Sequence, residues 1–447
     1  DESFQQKMRV TLMEGSGKIP AQSLNEFIPR CHYISGDYSD PSLYAELAQT
    51  LKKLDAKYKN SGNRIFYLAT PPSLYETVVE RMGAVGLTTE SDTGSPWVRV
   101  VVEKPFGRDL GSAMQLARVI HKHLSERQIY LIDHYLGKET VQNILVFRFA
   151  NTIFEPVWNR RYIDHVQITL AENIGVEHRA GYFEQAGQMR DMFQNHMLEM
   201  LTLMTMEPPA SFEADRVRDE KVKVLRAVRP FPLDDLDNHI VRGQYGSGWS
   251  EGKKIESYRE EEGVSKKSQI DTYVAAKFFI DNWRWHGVPF YLRTGKRMAK
   301  RVSEIAIAFK EVPHAVFPKS HASNAPSNSL ILNVQPEEGI ALTIQAKEPG
   351  PKINLSPLVM DFHYREVFGT EPPEAYERLL LDCMLGDQTL FIRQDMMQVA
   401  WTLITPVLET WESSPNSFPL YIYPPGKWGP SEADKLLEGD ASQWRTP

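Results

Sequence analysis

Residues 129–139 read IYLIDHYLGKE. The apolar run Ile129 to Ile132 has the length of a buried strand, yet it leads directly into Asp133, His134, Tyr135 and Lys138. A carboxylate, an imidazole, a phenol and an ammonium gathered in six residues can hold an anion and move a proton. Gly137 bends the chain so that Lys138 can turn back. A second concentration lies in FEQAGQMRDMFQNHMLEMLTLMT, residues 183–205. Phe193, Met197, Leu201 and Met204 form one helical stripe and Met189, Met192, Met200 and Leu203 another, so this helix is buried over most of its circumference. His196 falls on the second stripe. There it is either a satisfied core histidine or a general base held in one tautomer by a carboxylate. Asp133 and Asp191 are the candidate carboxylates. Asp191, five residues before His196, points away from it on an α-helix, which favours a partner from another element. In VPFYLRTGKRMAKRVSEIAIAF (288–309), Arg293, Lys296, Arg297, Lys300 and Arg301 make the densest positive patch of the chain. It is a solvated loop or a phosphate site. Lys104 in EKPFG (103–107) ends another strand, as a surface charge or as part of the same pocket.

These groups need elements to hold them. Up to residue 139 strands and helices alternate: strands at 30–35, 64–69, 97–105 and 129–132, helices at 40–58, 73–82 and after Asp109. Alternation of this kind predicts a parallel, doubly wound α/β sheet. Ligands bind such sheets outside the carboxyl ends of the strands, which is where Asp133 to Lys138, Lys104, Thr70 and Pro71 fall. From residue 140 onward the pattern changes. Segments 164–172, 304–309, 329–334 and 339–348 alternate by two and predict a mostly antiparallel sheet. Helices at 183–205, 271–280, 373–385 and 393–411 would cover it as an α+β domain.

Bulk properties bound the chemistry. The chain has 447 residues, too many for one core, and 42% hydrophobic with 24% charged residues, the composition of a globular protein. A net charge of −7 argues against nucleic acid and anionic membranes as partners, and an anionic ligand must then meet a local cation cluster. No apolar run is long enough to span a membrane. Two cysteines allow neither a disulfide framework nor a thiolate metal cluster and favour the cytoplasm. Nucleophile elbows and paired metal-ligand histidines are missing, so no metal is expected. EGSGKIP (14–20) reads as a surface loop rather than a phosphate loop. The strand, glycine-rich turn and helix that usually open a dinucleotide fold are absent from the sequence, and its start at Asp1 inside a helix predicts that an upstream piece is missing.

The segments YLATPPSLYETV, VVEKPFG, LIDHYLGKETVQN, GYFEQAGQMRDMFQNH, DNWRWHGVPFYLRTGKRM and KWGPSEAD occur in order along nearly the whole chain. Together they resemble the glucose-6-phosphate dehydrogenase family. The resemblance implies a dinucleotide-binding, Rossmann-like domain over 1–139, incomplete at its front, and a substrate-binding and dimerisation domain over 140–447. It implies oxidation of glucose 6-phosphate to 6-phosphogluconolactone with NADP, the opening step of the oxidative pentose phosphate pathway. His196 resembles the family's catalytic base, Asp133 its carboxylate partner, and Lys104 the lysine between substrate and nicotinamide. His134, Tyr135 and Lys138 correspond to phosphate ligands, Glu172 and Asp191 to sugar-hydroxyl ligands, and Lys296 and Arg301 to further substrate contacts. Ala69, Thr70 and Pro71 match positions beside the cofactor. A homodimer or a dimer of dimers is expected. The alternatives are an NAD(P)-dependent dehydrogenase of another sugar and a sugar-phosphate-binding protein without a working cofactor site.

Overall fold

The computed structural model describes residues 1–16, 19–91, 94–314, 316–317, 328–369, 373–414, 417–439 and 443–447. The chain forms two compact units, one of Asp1–Val100 with Arg118–Gln128 and one of Val101–Ala117 with Ile129–Pro447. In chain order the first elements are α1 (Glu2–Ser16), α2 (Ala21–Phe27), α3 (Pro41–Tyr58), β1 (Arg64–Leu68), α4 (Tyr75–Ala84), β2 (Val98–Val102), α5 (Leu110–His121) and β3 (Ile129–Leu131). The sheet order is β1-β2-β3. The strands run parallel: Arg64 N–H, at the start of β1, bonds the carbonyl of Trp97 just before β2, and Ile132 N–H, just past β3, bonds that of Val102 at the end of β2. Asp40 caps α3 by accepting from Ser42 N–H, with Pro41 at the first helical position.

Two details of this region differ from the sequence reading. Residues 31–37 form no strand, although Cys31 is extended at φ −82 and ψ 122. An extended segment becomes a strand only where a neighbouring edge takes its backbone groups. RIFYLA (64–69) reads as a compact buried strand, yet β1 is half-buried and Tyr67 on it is exposed. Of the segment 14–20, residues 14–16 end α1 and 17–18 lie outside the described residues.

The larger unit continues with α6 (Glu139–Phe149), β4 (Ile163–Ala171), α7 (Ala180–Gln188), α8 (Leu198–Thr205), α9 (Ala214–Ala227) and β5 (Ile240–Tyr245). A small ribbon follows, β6 (Gly248–Ser250) with β7 (Lys253–Ile255). Then come β8 (Tyr273–Phe278), β9 (Phe290–Gly295), β10 (Val302–Phe309), β11 (Ser329–Gln335), β12 (Gly339–Lys347), β13 (Leu355–His363), α10 (Tyr364–Phe368), α11 (Ala375–Leu385), α12 (Gln394–Ser413) and β14 (Leu420–Tyr423). Nine strands make one sheet in the order β13-β12-β11-β10-β4-β9-β8-β5-β14. It is antiparallel except that β4 runs parallel to β9 and β14 to β5.

The stretch 271–280 is a strand, β8, where helical spacing had been expected. β8 lies between β5 and β9, and all but one of its residues are buried. Burial on both faces removes the alternation that marks a half-exposed strand, and a short apolar run then cannot be told from a helix.

The helix expected at 183–205 is three pieces. α7 ends at a kink where Gly187 has φ 66, and Met189–Met197 is a π-helix that passes into α8. A Cβ on Gly187 would stand 2.6 Å from Asp271 Oδ1. That carboxylate accepts the N–H of Met189 at 2.7 Å and so caps the π-helical segment. The segment packs on β8 and β9 with α8 and α12 around it, and α9 lies against both of those helices. Met189, Met197, Met200, Leu201 and Met204 are fully buried, and from Met189 to Thr205 only Arg190 and Gln194 are even partly accessible. No helix among the described residues is long and apolar enough to cross a membrane.

Candidate active site

Sheet register brings five side chains to one edge. β4 and β9 run parallel with Ala171 opposite Gly295, so the next residues along, Glu172 and Lys296, leave the sheet side by side. Their side chains meet at 2.8 Å. β10 is antiparallel to β4 with Val302 opposite Ala171, which puts the start of β10, and hence Arg301 and Ser303, at the same edge. β11 pairs Gln335 with Ser303 and adds the amide of Gln335. A cavity of about 150 Å³ opens beside Glu172 and Lys296, lined also by Val176, Arg179 and Phe183.

The stretch after β3 supplies the other groups. Asp133 and His196 are both buried, and Asp133 Oδ1 lies 2.5 Å from His196 Nδ1. The same oxygen accepts Tyr135 N–H at 2.9 Å. The Tyr135 ring stacks on the His196 ring at 4.5 Å, and His134 meets His196 edge-on at 4.7 Å. Lys138 lies over the Tyr135 ring at 4.1 Å and bonds Gln335 Oε1. Gly137 is required for space rather than for its backbone angle, because a Cβ there would meet the carbonyl of Ala375 at 2.4 Å.

Lys104, two residues beyond β2, ties the cluster together. Its Nζ is 2.7 Å from His196 Nε2, 2.7 Å from the Asp191 carbonyl and 3.3 Å from Asp191 Oδ1. Asp191 therefore does not point away from His196, as its spacing on an α-helix implies. In a π-helix the backbone bonds run from i to i+5, so residues five apart stack on one face. One ammonium spans both of them.

Electrostatics set the protonation states. Burial pushes the His196 imidazole below its ordinary value, and Asp133 only partly offsets that. For Asp133, burial acts upward but is outweighed by His196, so the carboxyl stays below the usual carboxylate range. Burial, with the neighbouring His196, Lys104 and Lys138, lowers His134 to about 3. Burial and then the Arg301 guanidinium bring Lys138 down to about 8. For Asp191 burial is overcome by Lys104 and Lys296, and the carboxyl falls to about 2. Because Asp133 faces Nδ1, that nitrogen carries the proton, and the Nε2 lone pair of a neutral His196 faces Lys104. Ligand atoms of Asp133, His134 and His196 lie within 4.8 Å of one another, close enough for a metal ion. The Lys104 ammonium at Nε2 occupies the lone pair such an ion would need.

The structure thus gathers Lys104, Asp133, His134, Tyr135, Lys138, Asp191 and His196 around one imidazole and places Glu172, Lys296 and Arg301 on the sheet edge of the same unit. Ala69, Thr70 and Pro71 belong to the other unit, at the carboxyl end of β1. Sequence reasoning missed Gln335 and Ser303. Gln335 donates to Ser303 Oγ at 2.9 Å and to the Tyr135 hydroxyl at 3.4 Å. The available signal was a polar residue ending the apolar run SLILNV.

A family model described as the glucose-6-phosphate dehydrogenase NAD binding domain matches residues 1–143, and one described as the C-terminal domain of the same enzyme matches residues 145–445. The chain belongs to the glucose-6-phosphate dehydrogenase family. The glucose-6-phosphate 1-dehydrogenase of Chlamydia pneumoniae is 48% identical over 451 residues, covering 100% of this chain and 87% of that one. That of Aggregatibacter actinomycetemcomitans is 46% identical over 447 residues, covering 100% and 88%. A solved glucose-6-phosphate dehydrogenase in complex with its substrate glucose-6-phosphate matches with a TM-score of 0.88 at 37% identity, covering 100% of this chain and 89% of that one. As a glucose-6-phosphate dehydrogenase family member, the chain is an oxidoreductase acting on a CH–OH group, and its first part is a dinucleotide-binding domain.

Proposed function

We propose that this family member oxidises glucose 6-phosphate at the anomeric carbon to 6-phosphogluconolactone, with NADP as acceptor and His196 as general base. The observation that carries the assignment of the base is the buried contact of Asp133 Oδ1 with His196 Nδ1, which makes Nε2, the nitrogen that Lys104 holds in the free protein, the one to take a proton. His196 removes the proton of the anomeric hydroxyl, Asp133 stabilises the imidazolium that forms, and a C=O bond forms at that carbon. A bound nicotinamide would supply the acceptor for the hydride that leaves the same carbon. Lys104 stands at Nε2 in the free protein, and its bonds to Asp191 hold it beside the site when the substrate hydroxyl takes that place.

The remaining groups position the substrate. Lys138, Arg301 and the neutral His134, with the Tyr135 hydroxyl, form a phosphate site. Gln335 bonds Lys138 and Tyr135 and braces it. Glu172, Lys296 and Asp191 are placed for sugar hydroxyls. Phosphate binding is remote from the reacting carbon, yet its energy can hold the sugar in the reactive pose and so raise turnover. For the cofactor, the fit rests on Thr70, whose Oγ1 is buried at the end of β1 with no partner among the described residues, so a ligand there would satisfy it. Ala69 and Pro71 flank it. The division of roles at residues 139 and 140 is supported by family models that meet between residues 143 and 145.

The exposed Leu358, Val359, Met360 and Phe362 on edge strand β13 support a homodimer or a dimer of dimers. Neither Cys31 nor Cys383 is in a disulfide, which supports a cytoplasmic setting. The assignment is tested by following nicotinamide reduction with glucose 6-phosphate and with glucose, each against NADP and NAD. A large preference for the phosphate ester is expected. Equal kcat/KM for both sugars would overturn the substrate, and faster NAD reduction would overturn the cofactor.

A further inference from the structure

We infer that Tyr423, in the last strand of the sheet, is a positioning residue that fixes Lys296 through its backbone, so that the C-terminal strand tunes the hold on the sugar phosphate. The inference rests on the reading of Lys296 as a substrate contact.

Lys296 sits in the turn that leaves β9, and the turn is strained. Arg297 has φ 51, in the left-handed region that side chains rarely adopt. Such a conformation persists only where the surroundings impose it, and here the bonds can be named. Arg297 N–H donates to the Ile174 carbonyl at 3.0 Å and Met298 N–H to that of Glu172 at 2.9 Å. From the C-terminal segment, Gly426 N–H donates to the Arg297 carbonyl at 2.8 Å.

Lys296 itself is held by a ring of bonds whose proton directions can be assigned. Thr272 Oγ1 accepts Tyr245 N–H at 3.0 Å, which leaves its own hydroxyl proton for Tyr423 Oη at 3.1 Å. Tyr423 then donates its single proton to the nearer of two carbonyls, Lys296 at 2.7 Å rather than Thr272 at 3.2 Å. Lys296 N–H returns to the Thr272 carbonyl at 2.9 Å. Both backbone groups of Lys296 are thus committed inside the core, and Tyr423 is fully buried. Nothing in the reaction uses the Tyr423 hydroxyl. A phenylalanine would fill the same space between the rings of Tyr245 and Tyr273, so what the hydroxyl adds is the donor to the Lys296 carbonyl.

The test is a cycle of four enzymes: wild type, Tyr423→Phe, Lys296→Met and the double variant. KM for glucose 6-phosphate, kcat and thermal midpoint are measured for each. Lys296→Met is expected to raise KM about tenfold or more. Tyr423→Phe is expected to raise it about three- to tenfold, the effect of one misplaced hydrogen bond, with kcat within about twofold. In the Lys296→Met background Tyr423→Phe should add nothing. Thr272→Val, which removes the donor to Tyr423, should shift KM in the same direction and serves if Tyr423→Phe does not fold. Equal KM increments in both backgrounds, or a lowered midpoint with unchanged KM, would overturn the inference alone. An unchanged KM in Lys296→Met would overturn both the inference and the assignment of that lysine.

Discussion

Two buried acid–base pairs stand within one turn of each other on the same helical rod. Asp133 with His196 is one, and Glu199 with Lys221 is the other. All four side chains are buried, and each pair joins the rod to a different element, the segment after β3 in one case and α9 in the other. The chemistry of the base separates them. An imidazole that burial holds below its ordinary pKa stays neutral beside a carboxylate and keeps a lone pair able to take a proton. An ammonium beside a carboxylate is a closed ion pair. Burial pushes the Glu199 carboxyl up and Lys221 opposes it, so the acid depends on that partner for its charge. Burial of a charge pair is therefore no sign of function by itself; the catalytic candidate is the pair whose base keeps a second nitrogen, His196 Nε2, turned to another polar group, Lys104.

The strongest way to break this comparison is to remove each base. His196→Asn is expected to lower kcat by about a hundred- to ten-thousand-fold while KM for glucose 6-phosphate changes little. Near-normal turnover would end the assignment of His196. Lys221→Met leaves Glu199 buried and uncompensated, and should destabilise the fold by about 3–5 kcal/mol in urea denaturation. Because an apolar pair of similar volume is often tolerated where a broken pair is not, adding Glu199→Leu to Lys221→Met should recover most of that stability together with activity. The corresponding replacement of Asp133 and His196 by leucine would recover stability at most. A dead but folded Glu199→Leu, Lys221→Met protein would show that the second pair is catalytic too.

Much of this arrangement was legible in the sequence, and what was hidden had particular causes. The methionine stripes marked the buried rod, and the abrupt change from Ile132 to Asp133 marked a strand end at a pocket. The partner of His196 came from another segment, as its spacing from Asp191 suggested. A π-helix, however, has no sequence signature, and this one brings Asp191 to the same lysine as His196. β8 was misread because it is buried on both faces. Gln335 was missed because its place depends on the register of β10 with β11, a pairing between segments some thirty residues apart.

Lys138 sharpens the comparison from a third side: it is a partly buried cation whose bonded partner, Gln335, is neutral. The charged groups facing it are Arg301, which lowers its pKa, and Glu338 and Asp133, which raise it; with burial the largest effect, it comes down to about 8 from an ordinary 10.5. Below pH 8 the free protein presents an ammonium to the substrate phosphate. Above it, binding must first recruit a proton. KM for glucose 6-phosphate should therefore climb as pH passes 8, approaching tenfold per pH unit if the charge is essential. Folding stability should move the other way. A group that holds its proton less tightly when folded than when unfolded contributes stability that grows as pH rises from about 8 toward 10.5. Lys138→Arg keeps its charge throughout this range and should remove both trends. Parallel rate and denaturation profiles between pH 7 and pH 10 test this directly. A KM that climbs equally in the arginine variant would place the titrating group elsewhere, and a flat KM in the wild type would remove Lys138 from the phosphate site.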